Sequence, residues 1–162
     1  MRDSSFLALT LVIFTVAVQA ETACLSTLPN NPAFAPPAPY DAWHLSAGTF
    51  WYGTDALWTA LDVDGTWHIK NNSDQRGGYV TKLVFWRRGF DWRKEPNPDL
   101  IVTARRIDGD APSIAVAHAN AVFVTGNTPA MMTGIRFPKG GCWEVSGHYG
   151  GQTLTFIVSL AE

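Results

Sequence analysis

The most restrictive feature of this chain is a set of apolar side chains that recurs at every second position near its C-terminus. Leu154, Phe156, Val158 and Leu160 fall on one face of an extended segment. A period of two residues places alternate side chains on opposite faces of a β-strand and does not form a helical stripe. No window of eleven or more residues after residue 20 sustains a helical stripe. The pattern therefore predicts an all-β fold.

Shorter alternating segments, separated by turn-forming residues, precede this one. Val63-Asp64-Gly65 predicts a hairpin that pairs residues 57–62 with residues 66–70. The segment 80–87 carries bulky side chains on both faces, which is typical of a central strand. Residues 147–152 are expected to form the loop between the last two strands. Strands at roughly 8- to 12-residue spacing favour an immunoglobulin-like, two-sheet antiparallel sandwich, which we place at residues 43–162.

The N-terminus has the features of a secretory leader. An apolar block from Phe6 to Val18 is shorter than the roughly 20 residues that a spanning helix needs. It is followed by Val18-Gln19-Ala20, a small-residue pattern suited to signal peptidase. We therefore predict a signal peptide at residues 1–20 and a secreted or periplasmic protein. Retention as an N-terminal membrane anchor and lipid modification of Cys24 are the alternatives.

Residues 21–42 form a proline-rich segment that precedes the predicted sandwich. Proline fixes φ and lacks an amide hydrogen, so this composition disfavours a helix or a central strand. We expect an extended segment that lies along the domain or acts as a stiff tether. The prolines concerned are Pro29, Pro32, Pro36, Pro37 and Pro39.

The mature chain would contain two cysteines, Cys24 near its start and Cys142 near its end. An oxidising compartment favours a disulfide between them, and two unrelated thiols are the alternative. Because Cys142 alternates with Trp143, we expect the bridge to lie off the main core. It would then differ from the inter-sheet disulfide of antibody domains.

Several function classes find no support in the sequence. The formal net charge of −2 provides no overall attraction to nucleic acid. Motifs for a serine-hydrolase elbow, a zinc protease, a phosphate-binding loop or a dinucleotide turn are absent. We predict no catalytic residues, cofactor or metal. The alternative is an enzyme whose site is assembled from scattered His, Asp and Glu residues, with the histidines His44, His68, His118 and His148 as its most informative members.

The densest unusual stretch is 85–94, in which aromatic rings are interleaved with cations. Trp and Arg are enriched among the residues that dominate protein interfaces, and rings also stack on sugars. The stretch therefore predicts a binding surface for an envelope protein or a polysaccharide. The alternative is a core ring with arginines stacked on the others around a bulge at Gly89. The predicted binding residues are Trp86, Arg87, Arg88, Trp92 and Arg93.

Binding of a glycan would require a specific arrangement of aromatic rings on the surface. Trp51, Tyr52, Trp86 and Trp92 would have to stand exposed in a row, because a flat row of rings is what a sugar chain stacks on. Burial of the same rings in a β-domain core is the ordinary alternative.

The C-terminal half resembles an uncharacterised family of small exported bacterial proteins. The resemblance rests mainly on Gly141-Cys142-Trp143-Glu144-Val145-x-Gly147, with support from 85–88 and 104–112. It implies bacterial export and an immunoglobulin-like sandwich, and it implies no activity. Together with the 85–94 stretch it leads us to expect a non-catalytic, exported binding module of the cell envelope. An enzyme or a purely structural envelope component is the alternative.

Overall fold

The computed structural model describes residues 23–40, 45–69, 77–124 and 128–161. The predicted signal peptide, the predicted domain boundary at residues 42–43 and His44 lie outside the described residues. No helix in the described ranges is long and apolar enough to cross a membrane. The described strands are β1 (Thr49–Thr54), β2 (Leu57–Asp62), β3 (Thr66–Trp67), β4 (Tyr79–Trp86), β5 (Ile101–Arg106), β6 (Ile114–Val116), β7 (Asn120–Val124), β8 (Thr128–Phe137), β9 (Gly141–Tyr149) and β10 (Gln152–Leu160).

These strands form two five-stranded sheets, which confirms the predicted all-β sandwich. The first sheet has the order β1-β2-β4-β8-β7 and the second has the order β3-β10-β9-β5-β6. Without β1, the first sheet follows the A-B-E-D order of an immunoglobulin domain. In the second sheet, β5, β9 and β10 take the positions of strands C, F and G. All pairings are antiparallel except that of β3 with β10.

The alternation predicted from the sequence sets the core between the sheets. Leu154, Phe156, Val158 and Leu160 are all buried. The largest fully buried rings come from both sheets, including Phe85 of β4 and Trp143 of β9. Strand β4 lies between β2 and β8, which confirms its central position.

The predicted hairpin at Val63-Asp64-Gly65 is wrong in its pairing. The turn forms, because the Gly65 amide donates to the Asp62 carbonyl at 3.0 Å. However, β3 leaves the first sheet and pairs in parallel with β10 of the second. Its Trp67 is buried, with its ring 6.0 Å from the rings of Phe137 and of Phe156. The chain therefore crosses from the first sheet to the second after β2, and this crossing places the Trp67 ring in the core.

The loop predicted between the last two strands is shorter than expected. Strands β9 and β10 remain paired up to Tyr149 and Gln152. This leaves a two-residue turn at Gly150 and Gly151, which have φ values of 56° and 74°. Positive φ at both central residues is what a type I′ hairpin turn requires, and glycine adopts it without strain.

The proline-rich segment packs onto the sandwich. The Cys24–Cys142 disulfide confirms the predicted bridge and attaches the segment to β9. The Thr27 amide then donates to the Ile157 carbonyl at 2.8 Å. Further along, Phe34 and Tyr40 cover the outer face of the first sheet. There they form a second apolar cluster with Trp58, Trp86 and Ala130.

Candidate binding surface

The β4–β5 loop, residues 87–100, carries most of the predicted binding residues, and its own hydrogen bonds shape it. Asp91 Oδ1 accepts a hydrogen bond from the Arg93 amide at 3.1 Å. The Asp91 carbonyl accepts from the amides of Lys94 and Glu95, each at 3.0 Å. The amide hydrogen bond from Arg93 is the main reason that the pKa of Asp91 lies below its usual value. Such turns favour Asp because its side chain bonds the main chain two residues on.

Tyr149 of β9 anchors this loop to the second sheet. Its ring stands edge-on to Phe90, with centroids 6.5 Å apart, and the Arg87 guanidinium lies 5.3 Å from its centroid. The Tyr149 hydroxyl donates a hydrogen bond to the Glu95 carboxylate. Burial, together with this bond to Glu95, raises the pKa of Tyr149 to about 12. The hydroxyl therefore stays protonated as a donor, and the loop is held in place.

The outer part of the loop, with the neighbouring ends of β7 and β8, forms what we call the Trp92 surface. Trp92 is half-buried and meets Phe123 of β7 edge-to-face, with centroids 4.9 Å apart. The Arg93 guanidinium lies 4.6 Å from the centre of the Trp92 ring. The associated depression has a volume of about 530 Å³. It is lined by Phe90, Asp91, Trp92, Arg93, Phe123 and Pro129.

The structure does not bring the five predicted binding residues onto one surface. Trp86 is 6% exposed and belongs to the cluster beneath the proline-rich segment, so it offers no ring face to a partner. Arg87 is stacked on Tyr149. Arg88 is exposed and lies 3.8 Å from an Asp55 carboxylate oxygen. Trp92 and Arg93 remain together, and they form the accessible centre of the stretch.

The exposed row of four rings required for a sugar chain is not formed. Trp51 stands edge-on to the buried Trp86, with centroids 5.1 Å apart. The Tyr52 ring packs against the core between the sheets, and its hydroxyl donates to the Thr155 carbonyl at 3.1 Å. Trp51 and Trp86 belong to the outer cluster, whereas Tyr52 and Trp92 pack against the core between the sheets, so the four rings do not form one exposed row.

Sequence reasoning missed Phe123, which is 47% exposed. It lies 31 positions after Trp92 in the sequence. A local sequence motif therefore cannot indicate that the two rings are in contact. Phe123 lies in the alternating segment 120–124, and this alternation could have indicated a strand. It could not have indicated which strand pairs with it. The pairing of β7 with β8, together with a hydrogen bond from the Ala121 amide to the Pro96 carbonyl of the loop at 2.9 Å, places Phe123 beside the loop.

The described histidines do not form a site. His68 lies 3.4 Å from a carboxylate oxygen of Asp64, and His148 contacts the hydroxyls of Thr103 and Thr153. Within the described ranges, no three His, Cys, Asp or Glu side chains converge as metal ligands. The alternative of an enzyme built from scattered residues gains no support from this arrangement.

Comparison with known proteins adds no further assignment. We found no match to this chain among protein-family models, curated proteins or solved structures. The resemblance to an exported bacterial family therefore stays a prediction.

Proposed function

We propose that this protein is an exported, non-catalytic binding module of the cell envelope, and that it contacts a partner protein through the Trp92 surface. The observation that supports this most directly is the accessible combination of Trp92 and Arg93, on a loop held by Tyr149, with Phe123 of the neighbouring strand β7. Trp and Arg are enriched among the residues that carry most of the binding energy at protein interfaces.

The position of this surface in the fold supports the same proposal. It lies at the end of the sandwich where β4 continues into the β4–β5 loop and where β8 begins, since Phe85 pairs with Met131. In antibody variable domains the corresponding end carries the loops that contact antigen. A rigid sandwich can present the loops at this end to a partner in the same way.

A protein partner suits the ring geometry better than a polysaccharide. The Arg93 guanidinium lies close to the Trp92 ring centre, and Phe123 stands at 77° to that ring. A sugar stacks on an open, flat ring face, whereas an interface residue inserts among rings and cations at varied angles. Export is part of the proposal and rests on the predicted leader at residues 1–20.

The test is site-specific photo-crosslinking in the native host. A photoreactive residue is placed at Phe123 (47% exposed) or, as a matched control, at Ile107 (40% exposed). We expect a discrete protein adduct from position 123 that is absent from position 107 and is lost when Arg93→Ala is added. Identical adducts from both positions, or none, would contradict the proposal.

A second experiment tests the glycan alternative. A panel of polysaccharides is titrated into the protein while the tryptophan fluorescence is followed.

A further inference from the structure

Each sheet of the sandwich has two edge strands, whose outer main-chain groups could pair with a further strand. In the first sheet, β7 contacts the β4–β5 loop, because the Ala121 amide donates to the Pro96 carbonyl at 2.9 Å. In the second sheet, β3 has only two residues and β6 only three. Thr27 lies beside β10 where β3 does not extend, and its amide donates to the Ile157 carbonyl. Short edge strands and covering segments keep a sheet from pairing with another one.

Strand β1, the other edge of the first sheet, has none of these protections within the described ranges. It is six residues long and pairs with β2 at every position from Thr49 to Thr54, so it contains no bulge. Its sequence, Thr-Phe-Trp-Tyr-Gly-Thr, contains neither proline nor a charged residue, and either would hinder pairing at an edge. An edge strand of this length and composition is expected to associate with another strand.

The pairing of β1 with β2 determines which main-chain groups of β1 face outward. The Val63 amide donates to the Gly48 carbonyl at 2.8 Å, so these two residues form a hydrogen-bonded pair. Hydrogen-bonded and non-hydrogen-bonded pairs alternate along an antiparallel ladder. Counting along β1 from Gly48, the N–H and C=O groups of Tyr52 face β2, whereas those of Trp51 and Gly53 point away from it. Among the described residues, none is hydrogen-bonded to these outward-facing groups.

A second copy of β1 provides a matching set of groups. When two identical strands pair antiparallel about a two-fold axis beside Tyr52, Trp51 of each copy lies opposite Gly53 of the other. The amides and carbonyls of both residues are then all hydrogen-bonded across the interface. Since β1 contains no charged residue, this arrangement brings no like charges together within the strand pair. An aromatic residue opposite a glycine also stabilises the glycine at a sheet edge.

We propose that this protein forms a symmetric dimer through β1, in which antiparallel pairing joins the first sheets of the two copies into one continuous sheet. The two-fold arrangement closes after two copies, because each copy contributes the same edge to one interface. Phe123 is on β7, at the opposite edge of the first sheet, so pairing at β1 leaves the Trp92 surface of both copies accessible. The inference does not depend on that surface.

The first test combines sedimentation velocity with amide hydrogen exchange followed by NMR, over as wide a range of protein concentration as solubility allows. The mass is expected to reach twice that of the monomer and no more. In the dimer, the Trp51 and Gly53 amides are expected to be protected from exchange, whereas the Tyr52 amide, which faces β2, is protected in the monomer as well. A protein that stays monomeric would overturn the proposal. So would a dimer in which the Trp51 and Gly53 amides exchange rapidly.

The second test introduces charge at the centre of this interface. The two copies of residue 51 are diagonal neighbours across the two-fold axis, within reach of long side chains. Trp51→Lys and Trp51→Glu are each expected to weaken dimerisation by about tenfold or more, because like charges then meet at the interface. An equimolar mixture of the two variants is expected to restore the dimer, since opposite charges then face each other. Recovery in the mixture is specific to pairing of the strand with itself.

Ile107→Lys is the matched control, because it adds a charge at an exposed position outside β1 and is expected to leave dimerisation unchanged. Circular dichroism checks that both Trp51 variants remain folded, since Trp51 packs edge-on to Trp86. If either variant unfolds, the exchange measurement on the wild type decides. Variants that each dimerise as the wild type does, or a folded mixture that stays monomeric, would overturn the proposal. Trp51 does not line the Trp92 surface, so that result would leave the proposed function standing.

Discussion

At the scale of single residues, the Gly-Cys-Trp-Glu-Val-x-Gly element is explained by packing. Gly141 has φ 122°, and an added Cβ there would come within 2.8 Å of Asp108. Cys142 forms the disulfide, and Trp143 is fully buried. Glu144 lies 2.9 Å from a guanidinium nitrogen of Arg105. The glycine, cysteine and tryptophan of the element that carries the resemblance to exported proteins therefore have structural roles.

Gly147 completes that element, and its role can be tested. A Cβ at this position would lie 2.5 Å from Cε1 of Phe85, whose ring is fully buried. We expect Gly147→Ala to lower the free energy of unfolding by about 1 to 3 kcal/mol, the usual cost of overpacking a core. Urea unfolding at neutral pH measures this change.

Gly134 of β8 provides the matched control for this prediction. It is also a strand glycine, but it is exposed and a Cβ there would meet nothing within 4 Å. Gly134→Ala is expected to leave the free energy of unfolding unchanged or to raise it by up to about 1 kcal/mol, because alanine loses less backbone entropy on folding than glycine. Equal effects at the two positions would show that the contact between Gly147 and Phe85 is not close.

At the scale of elements, β3 shows where local patterns fail. A short turn with Asp and Gly suits a hairpin, but the same turn also lets the chain pass to the other sheet. Which sheet β3 joins depends on Trp67, whose ring contacts Phe137 and Phe156 in the core. Those rings are distant in sequence, so residues 57–70 alone could not reveal the partner strand.

Asp108 links the end of β5 to the start of β9, and this predicts a pH dependence. Its carboxylate accepts from Arg106 Nε at 2.7 Å and from the Cys142 amide at 2.8 Å. Burial alone would raise the pKa of Asp108, but these hydrogen bonds outweigh it and lower the pKa. The stabilisation is therefore complete above the unfolded pKa of about 3.9 and is lost as the pH falls through the lower folded pKa.

We expect Asp108→Asn to lower the free energy of unfolding by about 1 to 3 kcal/mol at neutral pH, the usual contribution of hydrogen bonds to a charged group. The difference from wild type should shrink as the pH falls below about 4. Urea unfolding across this pH range measures it, with Asp110→Asn at a nearby exposed position as the control. A difference that is independent of pH would contradict the role assigned to the carboxylate.

At the scale of the whole molecule, the disulfide joins the N-terminal segment to the body of the sandwich. Cys24 and Cys142 are 118 positions apart, and closing so long a loop stabilises the fold by about 5 kcal/mol in the chain-entropy model. The segment that it anchors continues to Phe34 and Tyr40, which cover Trp58. Both ends of the described chain therefore contribute to one folded unit.

Cys24→Ser is expected to lower the melting temperature under non-reducing conditions. Because the cross-link acts largely by restricting the unfolded chain, the variant and the wild type should melt together once a reductant is present. Thermal unfolding followed by circular dichroism in both conditions provides the measurement. A variant that melts below wild type equally in both would show that the bridge is not the source of the difference.

The aromatic and basic stretch at 85–94 illustrates the same division between sequence and structure. Its composition predicted a binding surface, and Trp92 with Arg93 remains a candidate. Trp86 is instead covered by the proline-rich segment, and Arg87 supports Tyr149. Residues that are adjacent in sequence alternate between faces and then enter a loop, so they cannot be assumed to share a surface.

Sequence alone determined the all-β class, the buried face of the C-terminal strand and the preferred disulfide pair. The alternation of apolar and polar residues indicates which side chains of a strand are buried. Two cysteines allow a single intramolecular disulfide. Tertiary structure decided the crossing of β3 and the meeting of Trp92 with Phe123. Each of these depends on which strands lie side by side. That choice reflects the packing of the whole core, whereas periodicity reports only which face of a strand is buried.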